Sequence, residues 1–355
     1  MKKNYLTYPH ANGFAANGRY LVFGRVEEGH QSLWRRELST DCEVRIGSLP
    51  TDPNSRDPLW FDVARDTGRL VSVANNEVWI FDVINLGEPI LVYREPPEGG
   101  ALHPLPSINA AGTRIVLNRR IDNQYEAVEI TVDSGAVRVL FAMPWFANHV
   151  QFSPHDESWV GFCHEGAADK VTDRVWAWHE HLCPAGACLL DQRPLGVCLG
   201  HERWAFHATT VYAVCYGSSS GGPRGIYELF PDGRPACLIS EGNRDWHVNI
   251  SQDGRWAVVD TTGSHDLPGR GWENAGNTSD VILIEIKTGR RSFIARSRQS
   301  DRHPCHPHPV FDPSGRLIFY NEATEGGLGC QVRCVQNPLA EAAPVACHII
   351  SRPVV

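Results

Sequence analysis

The sequence lacks the features that mark membrane and secreted proteins. No window approaches the roughly eighteen uninterrupted apolar residues that a membrane-spanning helix requires. The two lysines at the start are not followed by an apolar run, so they do not form a secretory signal. We therefore expect a cytoplasmic protein with no membrane partner.

Cysteine pairs of the C-x-x-C type are also missing. The eleven cysteines are odd in number and scattered, which favours free thiols over a disulfide framework or a cysteine-based zinc site. An excess of positive charge is absent as well, since the formal net charge is −8. That charge argues against a nucleic-acid partner, although local arginines still permit an anionic small substrate.

A short motif recurs along the chain: a turn with Gly or Asp, a polar residue, and then a mostly apolar run. It is clearest in ANGRYLVFG, DTGRLVSVA, AAGTRIVLN, QDGRWAVVD and PSGRLIFYN. Two weaker copies, PHDESWVGFCHEG and FHATTVYAVCYG, fill the one long gap. The seven turns lie near residues 18, 68, 112, 156, 208, 254 and 315.

A period of about 40 to 50 residues with several short strands per unit is typical of a β-propeller. Each copy is followed by further strand-like runs, such as EVWIFDV and VILIEIK. We predict an all-β fold, a seven-bladed β-propeller with four-stranded antiparallel blades, formed by residues 1–355 as a single domain. A pair of β-sandwiches is the alternative, but neither half of the chain repeats as a closed set of strands.

Histidines recur at one position of the repeat, nine to twelve residues before the second strand of a unit. They are His10, His103, His149, His201, His247, His306 and His308. Because the innermost strands of a propeller run in the same direction round a central channel, we expect these side chains to converge at one channel mouth. The end of the second strand and the loop after it reach the same mouth and add five candidates: His164, Glu165, Arg174, Tyr216 and Asp260.

The segment HPCHPHP carries three histidines in six positions, His303, His306 and His308. Prolines stiffen the backbone, which lowers the entropy cost of presenting several imidazoles together. With His247 at the same mouth, they predict a four-nitrogen site suited to Mn, Fe, Co, Ni or Zn. The alternative is a proline-rich turn that exposes histidines without binding a metal.

Several segments, in order, resemble the oligogalacturonate lyases, which are cytoplasmic seven-bladed propeller enzymes. They are HVQFSPHDESWVGFCHEG, DKVTDRVWAW, LGHERW, WHVNISQDG and HPHPVFDPSG. The resemblance is most specific from about His149 to Gly315, and the preceding residues share only generic blade turns. It implies β-elimination on short uronic-acid oligosaccharides, assisted by a divalent metal, typically manganese.

The resemblance also implies roles for single residues. His247, His306 and His308 match the family's metal ligands, and His303 stands where the family has a glutamine. His201 of GHERW matches the catalytic base. The alternative for His201 is a structural ring packed beside Trp204.

Arg174 of DRVW matches an arginine that meets the acidic group of the substrate. The alternative for Arg174 is a plain ion pair with Asp173 or Glu180. Four further residues are expected to line the pocket, namely His149, His164, Tyr216 and Arg224. The last of these lies in the loop 217–225, and the insertion 261–274 is expected to cover the site with His265 and Trp272.

Taken together, the sequence predicts a metal-dependent lyase that cleaves short oligogalacturonides by β-elimination, with a small anionic oligosaccharide as its partner. A lyase for a different uronate is a close alternative, motivated by His303 and by the divergent first repeats. A binding scaffold without catalysis is the other alternative, because a repeat fold alone implies no chemistry.

Overall fold

The computed structural model describes residues 3–50, 58–299, 303–325 and 329–340. Nearly all regular structure in these ranges is β-strand, and a turn of 3-10 helix lies at Ala16–Gly18. The all-β prediction is therefore confirmed. The prediction that residues 1–355 form one domain stays a prediction, because several stretches lie outside the described residues.

The strands fall into consecutive units along the chain. The first unit contains β1 (Lys3–Tyr5), β2 (Phe14–Ala15), β3 (Tyr20–Glu27), β4 (His30–Glu37) and β5 (Cys42–Gly47). The second contains β6 (Phe61–Val63), β7 (Arg69–Ala74), β8 (Glu77–Asp82) and β9 (Ile90–Arg94). The third contains β10 (Ala101–Leu102), β11 (Ser107–Ile108), β12 (Arg114–Ile121), β13 (Gln124–Thr131) and β14 (Val137–Met143).

The later units are more regular. The fourth contains β15 (Ala147–Phe152), β16 (Trp159–His164), β17 (Val175–His179) and β18 (Cys183–Cys188). The fifth contains β19 (Leu199–Trp204), β20 (Val211–Cys215), β21 (Gly225–Leu229) and β22 (Cys237–Glu241). The sixth contains β23 (Asp245–Ile250), β24 (Trp256–Thr261), β25 (Thr278–Glu285) and β26 (Arg290–Arg298). The seventh contains β27 (Val310–Phe311), β28 (Leu317–Ala323) and β29 (Cys330–Gln336).

Within a unit, neighbouring strands pair antiparallel in chain order, as in β15-β16-β17-β18. The first strands are the innermost ones. In the first and third units they are interrupted, because β1 and β2 both pair with β3, and β10 and β11 both pair with β12. The interruptions let short loops enter the space between the innermost strands.

The units close into a ring. The last unit joins the first through a parallel bridge between β29 and β1, in which Cys330 lies opposite Lys3. Successive innermost strands touch elsewhere in the ring, as β19 touches β23 and β23 touches β27. The residues that the structure describes thus contain seven sheet units around a centre, as expected for a β-propeller.

The turns found in the sequence lead into the second strand of each unit. Five of them contain a glycine with positive φ, at Gly18, Gly68, Gly112, Gly254 and Gly315. This left-handed backbone is readily adopted only by glycine. The two weaker copies near residues 156 and 208 also precede second strands, β16 and β20.

Most of the apolar core lies between neighbouring units, and one further cluster, with Tyr8 and Trp60, borders the channel. One cluster joins Val22 and Leu33 of the first unit to Phe61 and Phe81 of the second. Equivalent clusters lie between the other neighbours. Full burial of a side chain of this size stabilises the fold by roughly 1.5–3 kcal/mol. The faces of the sheets are thereby used for packing, and the channel-facing ends of the first strands are free to carry polar groups.

Candidate functional site

Three of the innermost strands, β15, β19 and β23, share a shift in the register of their pairing with the second strand. Their pairing registers shift between Asn148 and Gln151 in β15, between Gly200 and Arg203 in β19, and between Asp245 and Val248 in β23. A bulge of this kind inserts an extra residue and re-aims a side chain. The residues within the bulges include His149, His201 and His247.

These histidines meet others around one aromatic ring, that of Tyr8. Its centroid lies between 4.9 and 6.4 Å from six imidazole centroids. We call these six the histidine cluster: His10, His149, His201, His247, His303 and His308. Sequence positions almost 300 residues apart therefore converge at one end of the channel.

Three histidines have the geometry of a metal site. The ring nitrogens of His247, His306 and His308 that would serve as ligands all lie within 4.8 Å of one another, and all three residues are buried. Neither ring nitrogen of His308 has a hydrogen-bonding partner. Burial lowers the pKa of His247 and His308 well below the usual value, which keeps both imidazoles in the neutral form that binds metals. This three-histidine group therefore suits a divalent cation.

Asp260, at the end of the second strand β24, fixes this arrangement. Its carboxylate accepts hydrogen bonds from Nδ1 of His247, at 2.9 and 3.0 Å, and from the backbone N–H of His247, at 2.7 Å. It also accepts one from the backbone N–H of His308, at 3.2 Å. With Nδ1 occupied, Nε2 of His247 is left as the ligand atom, a pairing of carboxylate and histidine typical of metal centres.

His303 lies beside the three-histidine group but is not part of it. Its ring stacks on that of His306 at 4.8 Å and lies 5.2 Å from that of His308. The residue is exposed, and Trp60 borders it at 5.6 Å. A role for His303 as a fourth ligand stays a prediction.

His201 is adjacent to this group, with its ring 4.1 Å from that of His247. Nδ1 of His201 donates to the carbonyl of Trp246, so the lone pair of the neutral ring is on Nε2. Burial lowers the pKa of His201 to about 3 against the opposing effect of that hydrogen bond. The aromatic neighbours of the ring include Tyr216 and Trp246, whereas Trp204 lies against Trp159.

Arg174 is buried, and its ion-pair partner is neither of the two carboxylates that the sequence suggested. Its Nη1 lies 2.9 Å from Glu165, and not against Asp173 or Glu180. The Nε of Arg174 has no hydrogen-bonding partner. Although burial raises the pKa of Glu165, the charges of His149 and Arg174 outweigh it and lower that pKa overall. The guanidinium therefore faces an ionised carboxylate, and its Nε–H can still donate a hydrogen bond.

Two of the predicted pocket residues pair with carboxylates, His149 in a buried network and His164 in a partly exposed one. Nδ1 of His149 lies 2.9 Å from Glu202, with Cys163 close enough to complete a second group of potential ligands. His164 bonds Asp173 at 2.8 Å and stacks on Trp145 at 4.2 Å. Their contacts hold loops and strand ends in place next to the histidine cluster.

The other two pocket residues lie in the fifth unit, between β20 and β21. Tyr216 comes directly after β20 and lies so close to Gly200 that a Cβ there would be 1.9 Å from its hydroxyl. Arg224 donates to the carbonyl of Ser219 at 2.7 and 3.2 Å. Tyr216 thus borders the cluster, while Arg224 braces the loop 217–225.

The two candidate residues of the insertion 261–274 lie in different surroundings. Trp272 is 44% exposed and contacts Trp246, which in turn contacts His201. His265 instead bonds Asp280 at 2.6 Å and stacks on Phe293 of the outermost strand. The structure therefore brings Trp272, but not His265, towards the cluster.

His10 and His103 come from the first and third units. His10 is buried, and neither of its ring nitrogens has a hydrogen-bonding partner. His103 lies against Phe146, and burial lowers its pKa to about 4. Neither is among the groups of potential metal ligands that the described residues form.

Sequence reasoning missed Tyr8, Trp60 and Glu202. Tyr8 stands two residues before His10, within the loop that interrupts the first innermost strand. Trp60 occupies, in the second unit, the segment where other units have a histidine. Glu202 directly follows His201, so its place in the GHERW segment was the one available signal.

Comparison with known proteins assigns the family. A profile described as oligogalacturonate lyase matches residues 124–336, more than half of the chain. The protein belongs to the oligogalacturonate lyase family. The matched residues include all three members of the three-histidine group, His201 and Arg174.

A curated oligogalacturonate lyase from Dickeya dadantii is 24% identical over 206 residues, which is 56% of this chain and 52% of that protein. The chain thus spans about half the length of the curated relatives that it matches.

Two solved structures share the fold, each with a TM-score of 0.78. A structure described as oligogalacturonate lyase in complex with manganese is 21% identical and covers 93% of this chain and 89% of its own. An oligogalacturonate lyase from Vibrio parahaemolyticus is 20% identical and covers 93% of this chain and 90% of its own. In the present protein, the part of the chain that the structure describes has no helix long and apolar enough to cross a membrane.

Proposed function

We propose that the protein is a metal-dependent lyase that cleaves short oligogalacturonides by β-elimination. The observation that carries the proposal is the three-histidine group beside His201, within the residues that match the family. A solved family member is described as a complex with manganese, which supports Mn as the preferred ion. Zn, Fe, Co and Ni remain chemically compatible with imidazole ligands.

The reaction requires removal of the proton on the carbon next to the uronate carboxylate. That carbon acid is weak, so the charge that develops must be stabilised. A divalent cation held by His247, His306 and His308 supplies positive charge to the carboxylate when it is bound. The two buried nitrogens of His308 without hydrogen bonds fit such a ligand role.

His201 is the proposed base. Its Nδ1 is committed to the Trp246 carbonyl, so Nε2 accepts the proton. Arg174 is proposed to orient the acidic group of the substrate through its unpartnered Nε, while Glu165 holds the guanidinium in place. Asp260 keeps His247 oriented through the two hydrogen bonds to its Nδ1.

Four residues are proposed to line the pocket: His149, His164, Tyr216 and Arg224. His303 is proposed as a fourth ligand or as a contact at the edge of the metal site. The partner is then a small anionic oligosaccharide, and a cytoplasmic location without nucleic-acid or membrane partners stays a prediction.

A lyase for a different uronate is the second candidate. Tyr8 and Trp60 both contact the histidine cluster, yet both precede residue 124, where the match to the family begins. Part of the surface that would select the sugar thus lies outside the matched residues. The alternative is tested with the same assay on other uronates.

The test is ultraviolet absorbance during incubation with di- and trigalacturonate, with Mn²⁺, without it and after chelation. Elimination creates a double bond conjugated to a carboxylate, so we expect a rise in absorbance that requires the metal. Metal-loaded protein that produces no rise with any uronate would overturn the proposal and favour a binding scaffold.

A further inference from the structure

Tyr8 is buried at the centre of the histidine cluster. It is only 8% exposed, and its ring lies 4.9 Å from that of His149 and 5.4 Å from that of His308. It also reaches the proposed base His201, at 6.4 Å. The Tyr8 ring thus borders both the proposed base and the proposed metal ligand His308.

The hydroxyl of Tyr8 forms no hydrogen bond with the residues that the structure describes, and it is not among their buried polar atoms without a partner, so it keeps some accessible surface. Tyr5, three residues earlier, differs, because its hydroxyl bonds Gln31 and both backbone groups of Leu59. The free hydroxyl of Tyr8 therefore has bonding capacity for a molecule that enters the channel.

Packing fixes where that hydroxyl stands. The Tyr8 ring contacts Trp60 edge-on at 5.7 Å and His10 at 4.9 Å, and Trp60 also packs against Tyr5. Tyrosine has only two rotatable side-chain bonds, so such contacts hold it at a small entropy cost. The hydroxyl is therefore positioned before a substrate arrives.

The chemistry of the proposed reaction needs a proton donor. In a galacturonate ring the proton at C5 and the oxygen at C4 stand on opposite faces. One side chain cannot remove the first and protonate the second in the same step. If His201 removes the proton, the leaving oxygen requires a second group.

We propose that Tyr8 is this donor. As His201 takes the proton from C5, the electron pair forms the C4–C5 double bond and the C4–O bond breaks. The leaving oxygen takes the phenolic proton of Tyr8. Afterwards His201 gives its proton to water and the phenolate takes one from water, so both residues return to their starting states. This assignment rests on the proposed lyase function and adds a catalytic residue to it.

A tyrosine hydroxyl is neutral near pH 7, because its ordinary pKa is about 10. The Tyr8 hydroxyl therefore has a proton to give to the leaving oxygen. Tyr216 provides a matched comparison, because its ring contacts His201 at 5.4 Å and its ring contacts include no member of the three-histidine group.

The test compares Tyr8→Phe with Tyr216→Phe on two substrates. The first is digalacturonate, whose leaving oxygen needs a proton. The second is a methyl galacturonide with fluorine in place of the oxygen at C4, which leaves as fluoride without one. Product is followed by ultraviolet absorbance and by fluoride release, with metal content and melting temperature measured for every variant.

We expect Tyr8→Phe to lower kcat on digalacturonate by roughly 100-fold, the usual contribution of a general acid. The same variant should retain the wild-type rate with the fluoride substrate to within a few-fold. Tyr216→Phe should change the two rates in the same proportion.

Equal losses on both substrates in Tyr8→Phe, with metal content and melting temperature unchanged, would overturn the donor role alone. Wild-type protein that eliminates from neither substrate would overturn the proposed lyase function, and the donor role with it.

Discussion

The two parts of the propeller contribute differently to the channel. In the fourth, fifth and sixth units, histidines in the bulges of the innermost strands are oriented by hydrogen bonds, as His247 is by Asp260 and His201 by the Trp246 carbonyl. In the first three units, the innermost strands are short or interrupted and present aromatic rings such as Tyr8 and Trp60. His10, from the first part, has no hydrogen bond at either ring nitrogen.

The innermost strands of the repeat therefore serve two purposes: some carry oriented histidines, and others carry aromatic rings. A hydrogen bond to one ring nitrogen fixes the tautomer and the direction of the other, as for the ligand His247 and the proposed base His201. His308 of the seventh unit has no such bond. A buried ring such as that of Trp60 shapes the cavity instead. The family match, which begins at residue 124, covers the part with oriented histidines. The comparison predicts that substitutions of equal size have unequal effects in the two parts.

The largest effect is expected for His201→Ala. Without the base, elimination on digalacturonate should slow by roughly 1,000-fold, within the range for general acid–base catalysis. Bound metal should be unchanged, because the three ligands are intact. Initial rates measure elimination, and elemental analysis of the same samples measures bound metal. An active variant would show that His201 is not the base.

Asp260→Asn should have the next largest effect. The amide is isosteric but cannot accept every hydrogen bond that the carboxylate receives, so His247 loses its orientation. Loss of such a supporting group typically lowers metal affinity by about 10- to 100-fold. Competition with a chelator measures the affinity. Unchanged affinity would show that Asp260 supports the fold and not the ligand.

Gly161→Ala should destabilise the packing of strand β16 against strand β19, which carries the proposed base His201. A Cβ at position 161 would lie 1.8 Å from Nε1 of Trp204, at the end of the strand that holds His201. Overpacking of this kind costs about 1–3 kcal/mol of unfolding free energy. Denaturant titration measures the cost.

Gly87→Ala is the matched control in the first part. No atom beyond its chain neighbours lies within 4 Å of a Cβ at position 87. The free energy of unfolding should stay within about 0.5 kcal/mol of the wild type. Equal losses in the two variants would contradict the packing argument.

The smallest effect is expected for His103→Ala. His103 lies against Phe146 and is in neither the three-histidine group nor another group of potential ligands in the described chain. Rates on digalacturonate should change by about two-fold at most, as for substitutions away from a functional contact. A loss comparable to that of His201→Ala would remove the distinction between the two parts of the ring.

Much of the fold was predictable because the repeat is local. A turn glycine such as Gly254 fixes the start of a second strand, and His247 lies at a set distance before it. Convergence then follows from the ring. The partner of Arg174 was not predictable, because Glu165 and Asp173 are both near in sequence and only the loop between β16 and β17 decides which one it meets.

Tyr8 was harder to find for a different reason. It belongs to the loop between β1 and β2, which has no counterpart in the repeat motif. Its position depends on Trp60 from the next unit and on the parallel bridge that joins the two ends of the chain. Such long-range contacts leave no periodic signal in a single sequence. For the same reason the pairing of His265 with Asp280 was not expected.

The central claim is that the three-histidine group holds the metal that the reaction requires. The most direct test is to titrate chelated protein with Mn²⁺ and to measure bound metal and the rate of elimination in the same samples, with His308→Ala alongside. We predict that the rate rises in proportion to bound Mn²⁺ in the wild type, and that the variant neither binds the metal tightly nor turns over. Full activity in the chelated protein, or tight binding of Mn²⁺ by His308→Ala, would contradict the account.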